Sequence, residues 1–180
     1  MDSAVDKQRL RQTIRRERPH SSEGLTSNLV RLSLELGARR IASYASDAQE
    51  PSTADFNAWV TSLGLDLLLP RVVGNDLQFA SGELTEGSFG ILEPSGPAQE
   101  LNSVDLILLP ALAVDKSGVR LGKGKGYYDR ALESISGIPL YAVVYDSEIF
   151  EQLPHEPHDR QVTGAVTPTA LHHFRASSIS

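Results

Sequence analysis

The sixteen residues Asp115 to Arg130, DKSGVRLGKGKGYYDR, hold the densest set of groups able to do chemistry. Gly122, Gly124 and Gly126 alternate with Lys123 and Lys125. Glycine has no Cβ and tolerates positive φ, so its backbone N–H groups can close on an anion. The two lysines add mobile positive charge, and a helix starting at Tyr127 adds the positive end of its dipole. Strand, loop and helix together make a cradle suited to phosphate. The spacing is not a Walker A loop, because Lys123 and Lys125 are each followed by glycine rather than Ser or Thr. Nor is it the G-x-G-x-x-G dinucleotide fingerprint. A flexible Gly/Lys surface turn is the plain alternative. Two tyrosines and Asp129 abutting the loop favour a site.

Three further segments carry candidate groups. Lys7 and Arg11 in KQRLR lie four residues apart and Arg15 extends the line, so a helix here presents three cations on one face. That face is either solvated or a second anion-holding element. In HEPHDRQV (155–162), Asp159 is a candidate hard-metal ligand, and Asp129 can complete a carboxylate pair for magnesium if the fold brings the two together. His155 and His158 have no third ligand at an evident spacing, and His172 and His173 are adjacent, so exposed loop histidines explain all four. Glu50, in SDAQEPST (46–53), follows the first strand, where an open α/β site receives its ligand. No G-x-S-x-G nucleophile elbow is present.

The elements that must position these groups belong to one domain, since 180 residues match a single domain and suffice to bury a core without staples. Cysteine is absent, which excludes disulfides, thiolate zinc sites, iron–sulfur clusters and cysteine nucleophiles. The net charge of −6 argues against non-specific nucleic-acid binding. Its distribution is uneven. Residues 1–40 hold nine bases against five acids, residues 41–115 one base against eleven acids, and residues 116–130 five bases against one acid. Two basic islands thus sit on an acidic body. The apolar run Leu106 to Val114 contains Pro110 and is too short to cross a membrane. The charged N-terminus has no apolar h-region, so a cytoplasmic protein is expected.

Periodicity predicts helices over 4–17, ended by Pro19, and over 22–39, with Leu25, Leu29, Leu32 and Leu36 on one face. A third helix is expected over 53–63 with Thr53 as N-cap, and a fourth over 127–135. Strands are expected at 41–46, 65–70, 77–81 (a short edge strand), 104–110, 140–146 and 164–169. Residues 93–102, EPSGPAQELN, read as a turn-rich loop, and the tail 177–180 as frayed. Near-continuous apolar strands between helices predict an α/β fold, a single three-layer α/β/α domain with a mostly parallel sheet covered on both faces.

Taken together, these segments resemble the 5-formyltetrahydrofolate cyclo-ligase family, also called 5,10-methenyltetrahydrofolate synthetases. The resemblance runs through the K-x-x-L-R pattern of Lys7 to Arg11, then Tyr44, Glu50 and Thr53, then LLLPRV (67–72) and FGILEP (89–94). It continues through LLPALAVDKSGVRLGKGKGYYDR (108–130) and LPHEPHDRQVTGAVTPT (153–169). The R-L-G-x-G-x-G-Y-Y-D-R core is highly specific. The resemblance implies a fold similar to that of sugar-phosphate isomerases and CoA transferases. It implies use of ATP and Mg2+ to close 5-formyltetrahydrofolate, with or without a polyglutamate tail, into 5,10-methenyltetrahydrofolate, with ADP and phosphate released. The γ-phosphoryl group passes to the formyl oxygen, N10 attacks the activated carbon, and phosphate leaves.

By motif position, Lys7, Gln8, Arg9, Leu10 and Arg11 are implied to bind ATP, as are Arg120, Leu121, Gly122, Lys123, Gly124, Lys125, Gly126, Tyr127 and Tyr128. Ala45, Glu50, Phe89 and residues 123–127 are implied to face the folate, with Glu50 at its pterin end and Phe89 as an aromatic wall. Asp129 and Asp159 are implied to take magnesium. Lys125 and Arg120 are expected to stabilise the transferring phosphoryl group, and Tyr127 to complete the catalytic set. A monomer is expected. Ala111, Ala113 and Thr163 depart from the family pattern, the first two where a pocket wall would register it, the third where an acid is common. A sugar-phosphate isomerase, needing phosphate but no ATP, and a non-catalytic folate or nucleotide carrier are the rival readings.

Overall fold

The computed structural model describes residues 3–174, so the tail 177–180 lies outside the described residues. Along the chain run α1 (Ser3–Glu17), α2 (Leu25–Glu35), β1 (Arg40–Ala42), α3 (Ala54–Ser62), β2 (Asp66–Val73), β3 (Asp76–Ala80), β4 (Leu84–Glu86) and β5 (Leu92–Pro94). They continue with β6 (Ala98–Gln99), β7 (Leu106–Pro110), β8 (Ala113–Asp115), β9 (Arg120–Leu121), α4 (Tyr127–Leu132), β10 (Leu140–Val143), β11 (Ile149–Phe150), β12 (Gly164–Val166) and β13 (Leu171–His173).

An eight-stranded sheet, ordered β13-β12-β10-β7-β1-β2-β3-β6, forms the middle layer. Its five central strands, β12 to β2, are parallel, and antiparallel strands close both edges. The central strands are buried on both faces, which is why they read as apolar runs rather than alternating ones. On one face, Leu25, Leu29 and Leu32 of α2 and Phe56 and Val60 of α3 pack against Ile41, Leu106, Leu108 and Val143. On the other, Leu132 and Ile135 pack with Ile107, Leu109 and Ala142. A third cluster joins Ile14 of α1 to Leu112, Ala113, Val119 and Leu121, around the small sheet β11-β8-β9. The second face is therefore covered by one short helix and a small sheet rather than by a full helical layer.

Several elements differ from expectation. The helix expected over 22–39 begins after Gly24 and unwinds at Gly37, both in the left-handed region, and leaves Leu36 at the C-cap partly exposed. The edge strand expected at 77–81 is β3, flanked by β6, which arises inside the expected loop 93–102. The helix at 127–135 ends at Leu132. The strand expected over 41–46 stops at Ala42 because α3 captures the backbone beyond it. The carbonyl of Tyr44 accepts the Thr53 hydroxyl at 2.6 Å and the Asn57 amide at 2.9 Å. Thr53 thus precedes α3 but does not cap it with its side chain.

Candidate active site

A cavity of about 630 Å³ opens where β1, β2 and β7 reach their carboxyl ends, lined there by Tyr44, Ala45, Pro70 and Pro110. This is the crevice in which open α/β sheets hold ligands. Two structures deliver cations to it. In α1, Leu10 and Ile14 face the third cluster, and Lys7, Arg11 and Arg15 form the ridge beside them, which faces the cavity. The other is the glycine loop. The Arg11 Nε donates to the Gly122 carbonyl at 2.8 Å and the Arg15 guanidinium to that of Lys123 at 3.0 Å, which ties ridge and loop together. At Gly124, φ is +107°, a conformation that L side chains rarely adopt, so the turn beside the Arg11 guanidinium uses glycine.

The β8–β9 hairpin launches the loop. Asp115, fully buried, accepts N–H groups from Ser117, Val119 and Leu153, and serves the turn rather than a ligand. Gly118 has φ +92°, and a Cβ there would meet the Val162 carbonyl at 2.5 Å. The Val162 N–H donates to the Gly118 carbonyl at 2.8 Å, which holds the acidic segment 156–162 beside the loop.

Three of the cations lining the cavity, Lys7, Arg120 and Lys123, face a carboxylate. Lys7 reaches Asp159 at 2.9 Å, and Arg120 reaches Asp129 at 2.9 Å. Lys123 spans Glu50 at 2.6 Å and Asp47 at 2.8 Å. Burial alone would raise the Asp47 pKa, but hydrogen bonds from Lys123 and from the Gln49 N–H outweigh it and hold it below the usual range. Burial would lower Lys123, yet Glu50 and Asp47 hold it raised. Asp159 is likewise lowered against its burial by the Glu156 N–H and by Lys7. Arg11 is lowered by burial and by its neighbour Arg15. Lys125 differs: its ammonium rests 3.8 Å from the centre of the Phe89 ring and makes no ion pair among the described residues. The buried Arg120 Nε has no hydrogen-bond partner among the described residues.

Lys7, Arg11, Ala45, Glu50, Phe89, Asp129, Asp159 and all of 120–128 line the cavity. Gln8 and Arg9 are exposed outside it, and Leu10 packs into the third cluster. Ala111 and Ala113 are core residues outside the lining, so they do not shape its wall. Thr163 pairs through backbone and hydroxyl with Leu140 at the start of β12, away from the carboxylates. The helix after the loop, α4, is six residues long, so its dipole adds little and the anion-binding charge falls to side chains. Asp129 and Asp159 share the cavity, but the groups whose ligand atoms lie within 4.8 Å of one another are Glu156, His158 and Asp159. Oxygen donors dominate this set, which suits a hard cation. Asp47, Tyr44 and Arg15 contribute more than the sequence reading gave them. The D-x-x-E spacing of Asp47 and Glu50 was the available signal, since the Asp47 carboxylate accepts the Glu50 N–H at 3.0 Å and thereby shapes the loop.

Residues 6–168 match the model of the 5-formyltetrahydrofolate cyclo-ligase family. The chain is 36% identical over 149 residues to a 5-formyltetrahydrofolate cyclo-ligase of Mycolicibacterium smegmatis, covering 75% of this chain and 76% of the relative. It is 30% identical over 175 residues to one of Mus musculus, covering 87% and 86%. Among solved structures, it is similar to Aquifex aeolicus 5,10-methenyltetrahydrofolate synthetase, with a TM-score of 0.81, 30% identity and coverage of 97% and 95%. A 5,10-methenyltetrahydrofolate synthetase from Mycoplasma pneumoniae, at 22% identity and a TM-score of 0.71 over 92% and 98% of the two chains, shares the fold. No described helix is long and apolar enough to cross a membrane.

Proposed function

The chain belongs to the 5-formyltetrahydrofolate cyclo-ligase family and is a ligase that converts 5-formyltetrahydrofolate to 5,10-methenyltetrahydrofolate; we propose that it does so, as a cytoplasmic monomer using ATP and magnesium, in the cavity between α1 and the glycine loop. The observation that carries this reading is the convergence of both basic islands on one cavity that also holds Glu50 and the Phe89 ring. Lys7, Arg11 and Arg15 hold the triphosphate. Arg120 and Lys125 meet the charge that develops as the γ-phosphoryl group moves to the formyl oxygen, a transfer that depends on positioning and electrostatics more than on a protein nucleophile. Glu50 accepts N–H groups of the folate ring, and a polyglutamate tail, where present, runs towards solvent.

In the free protein, Asp159 and Asp129 neutralise Lys7 and Arg120. We assign both carboxylates to magnesium, which when bound with ATP offsets phosphate charge. Asp129 and Asp159 would hold the cation, and Lys7 and Arg120 would then be free to meet phosphate oxygens. Asp129→Asn should raise the magnesium concentration for half-maximal rate roughly ten- to a hundredfold, the range for disturbed metal shells. A wild-type magnesium titration in that variant would remove Asp129 from the set.

The direct assay supplies 5-formyltetrahydrofolate and magnesium with and without ATP. The methenyl chromophore should appear only with ATP. Its absence in both arms would overturn the reading; folate binding without product would indicate a carrier instead.

A further inference from the structure

Two hydroxyls on the cavity wall have no hydrogen-bond partner among the described residues. The Tyr44 side chain is 3% exposed, and its Oη makes no hydrogen bond; the same holds for the buried Oη of Tyr128. Neither ring is free to bring its hydroxyl to another group. Tyr44 packs in the cluster of Ile41 and Phe56. Tyr128 meets Phe79 edge-to-face, with ring centres 6.3 Å apart. Glu50 lies within electrostatic reach of both, yet its own oxygens are engaged by the Asp47 N–H at 2.8 Å and by Lys123 at 2.6 Å. A buried hydroxyl without a partner costs stability, and such groups in a native fold call for an explanation. Here both line the cavity, so a ligand atom can satisfy them.

We propose that the Tyr44 and Tyr128 hydroxyls are specificity-determining donors for a carbonyl oxygen of the folate held beside Glu50, an inference that rests on the cyclo-ligase reading of the cavity. The chemistry of the ligand supports this pairing. A carboxylate recognises N–H groups, and the folate ring carries a carbonyl next to the ring N–H that such a carboxylate takes. The formyl group carries a second carbonyl oxygen. Burial, and then the charge of Glu50, pushes the Tyr44 hydroxyl well above its ordinary pKa. It therefore keeps its proton at neutral pH and has one to donate. A site built to hydrogen-bond a ligand rejects analogues that leave its buried groups unpaired. The donors thus select a carbonyl-bearing ring over an isosteric one.

The test measures equilibrium binding of 5-formyltetrahydrofolate and of 5-methyltetrahydrofolate, which keeps the ring carbonyl and lacks the formyl oxygen, to the wild type, Tyr44→Phe and Tyr128→Phe. Each substitution should weaken 5-formyltetrahydrofolate binding roughly ten- to a hundredfold. Equal losses for both ligands place the donors on the ring carbonyl, and a loss for the formyl compound alone places them on the formyl oxygen. Tyr44→Phe should melt no lower than the wild type without ligand, because it deletes an unpartnered buried hydroxyl, and should bind a non-hydrolysable ATP analogue unchanged. Wild-type folate affinity in both variants would overturn the inference while sparing the parent reading. So would a lowered melting temperature with matching loss of ATP-analogue binding, the mark of a structural role. A wild type that binds neither folate would sink the parent reading, and this inference with it.

Discussion

Lys125→Ala is expected to lower kcat about a hundred- to a thousandfold while changing stability by no more than about 1 kcal/mol. The two halves of this expectation come from one geometry. The Lys125 ammonium touches the Phe89 ring at 3.8 Å and forms no ion pair among the described residues. Its removal forfeits a cation–π contact at an exposed position and leaves no carboxylate unpaired, so the fold barely registers it. The same freedom leaves its charge available to an arriving phosphoryl group. Lys123 offers the contrast, because deleting it would strip Glu50 and Asp47 of their shared partner and disturb that side of the cavity. Single-turnover rates on Lys125→Ala, with melting curves alongside, separate these roles. Wild-type turnover would remove Lys125 from the phosphoryl-transfer machinery. A large loss of stability would show that it holds the fold.

The parts of this site that were legible in the sequence are those encoded locally. The i, i+4, i+8 spacing of Lys7, Arg11 and Arg15 fixes a cation ridge whatever the helix packs against. The alternating glycines and lysines of 122–126 announce an open loop by composition. The bulk charge of −6 pointed away from anionic ligands, and only its local distribution pointed back. The illegible parts depend on partners distant in the chain. The first strand stops at Ala42 because Thr53 and Asn57 take the Tyr44 carbonyl, and that break turns Tyr44 and Ala45 into the cavity. An apolar run cannot report competitors for its backbone nine and thirteen residues away. Strand β6 forms within a stretch rich in turn residues because β3 offers it an open edge. Asp159 was legible as a ligand type, whereas its companions Glu156 and His158 depend on a loop conformation.

Arg18→Ala is expected to destabilise the protein by about 3–5 kcal/mol, the range for breaking a buried ion pair from one side. Arg18 and Glu148 are 130 residues apart in sequence, and both side chains are 3% exposed. The guanidinium meets Glu148 with two hydrogen bonds, of 2.9 and 3.1 Å, and donates a third to the Ala111 carbonyl at 2.8 Å. It also stacks near the Tyr145 ring. Burial raises the Glu148 pKa even with Arg18 in place, so without Arg18 the carboxylate must be ionised unpaired or held protonated. This fixes the sign of the pH dependence. Because the folded pKa is raised, ionisation of Glu148 opposes folding, and more so in the variant. The deficit against the wild type should therefore be largest at neutral pH and shrink as the pH falls through the raised pKa of Glu148, where protonation removes the unpaired charge. At neutral pH the melting temperature should fall by about 6–20 °C. A double Arg18→Met, Glu148→Leu variant, which removes both charges, should recover much of that loss. A deficit below about 1 kcal/mol in Arg18→Ala, or one that grows on acidification, would refute the account. Arg18 directly follows α1, so this pair fixes the end of the helix that carries the cation ridge, while Lys7 and Asp159 fix its beginning. At temperatures where the variant stays folded, the loss should therefore also reach function, as weaker ATP binding rather than a slower chemical step.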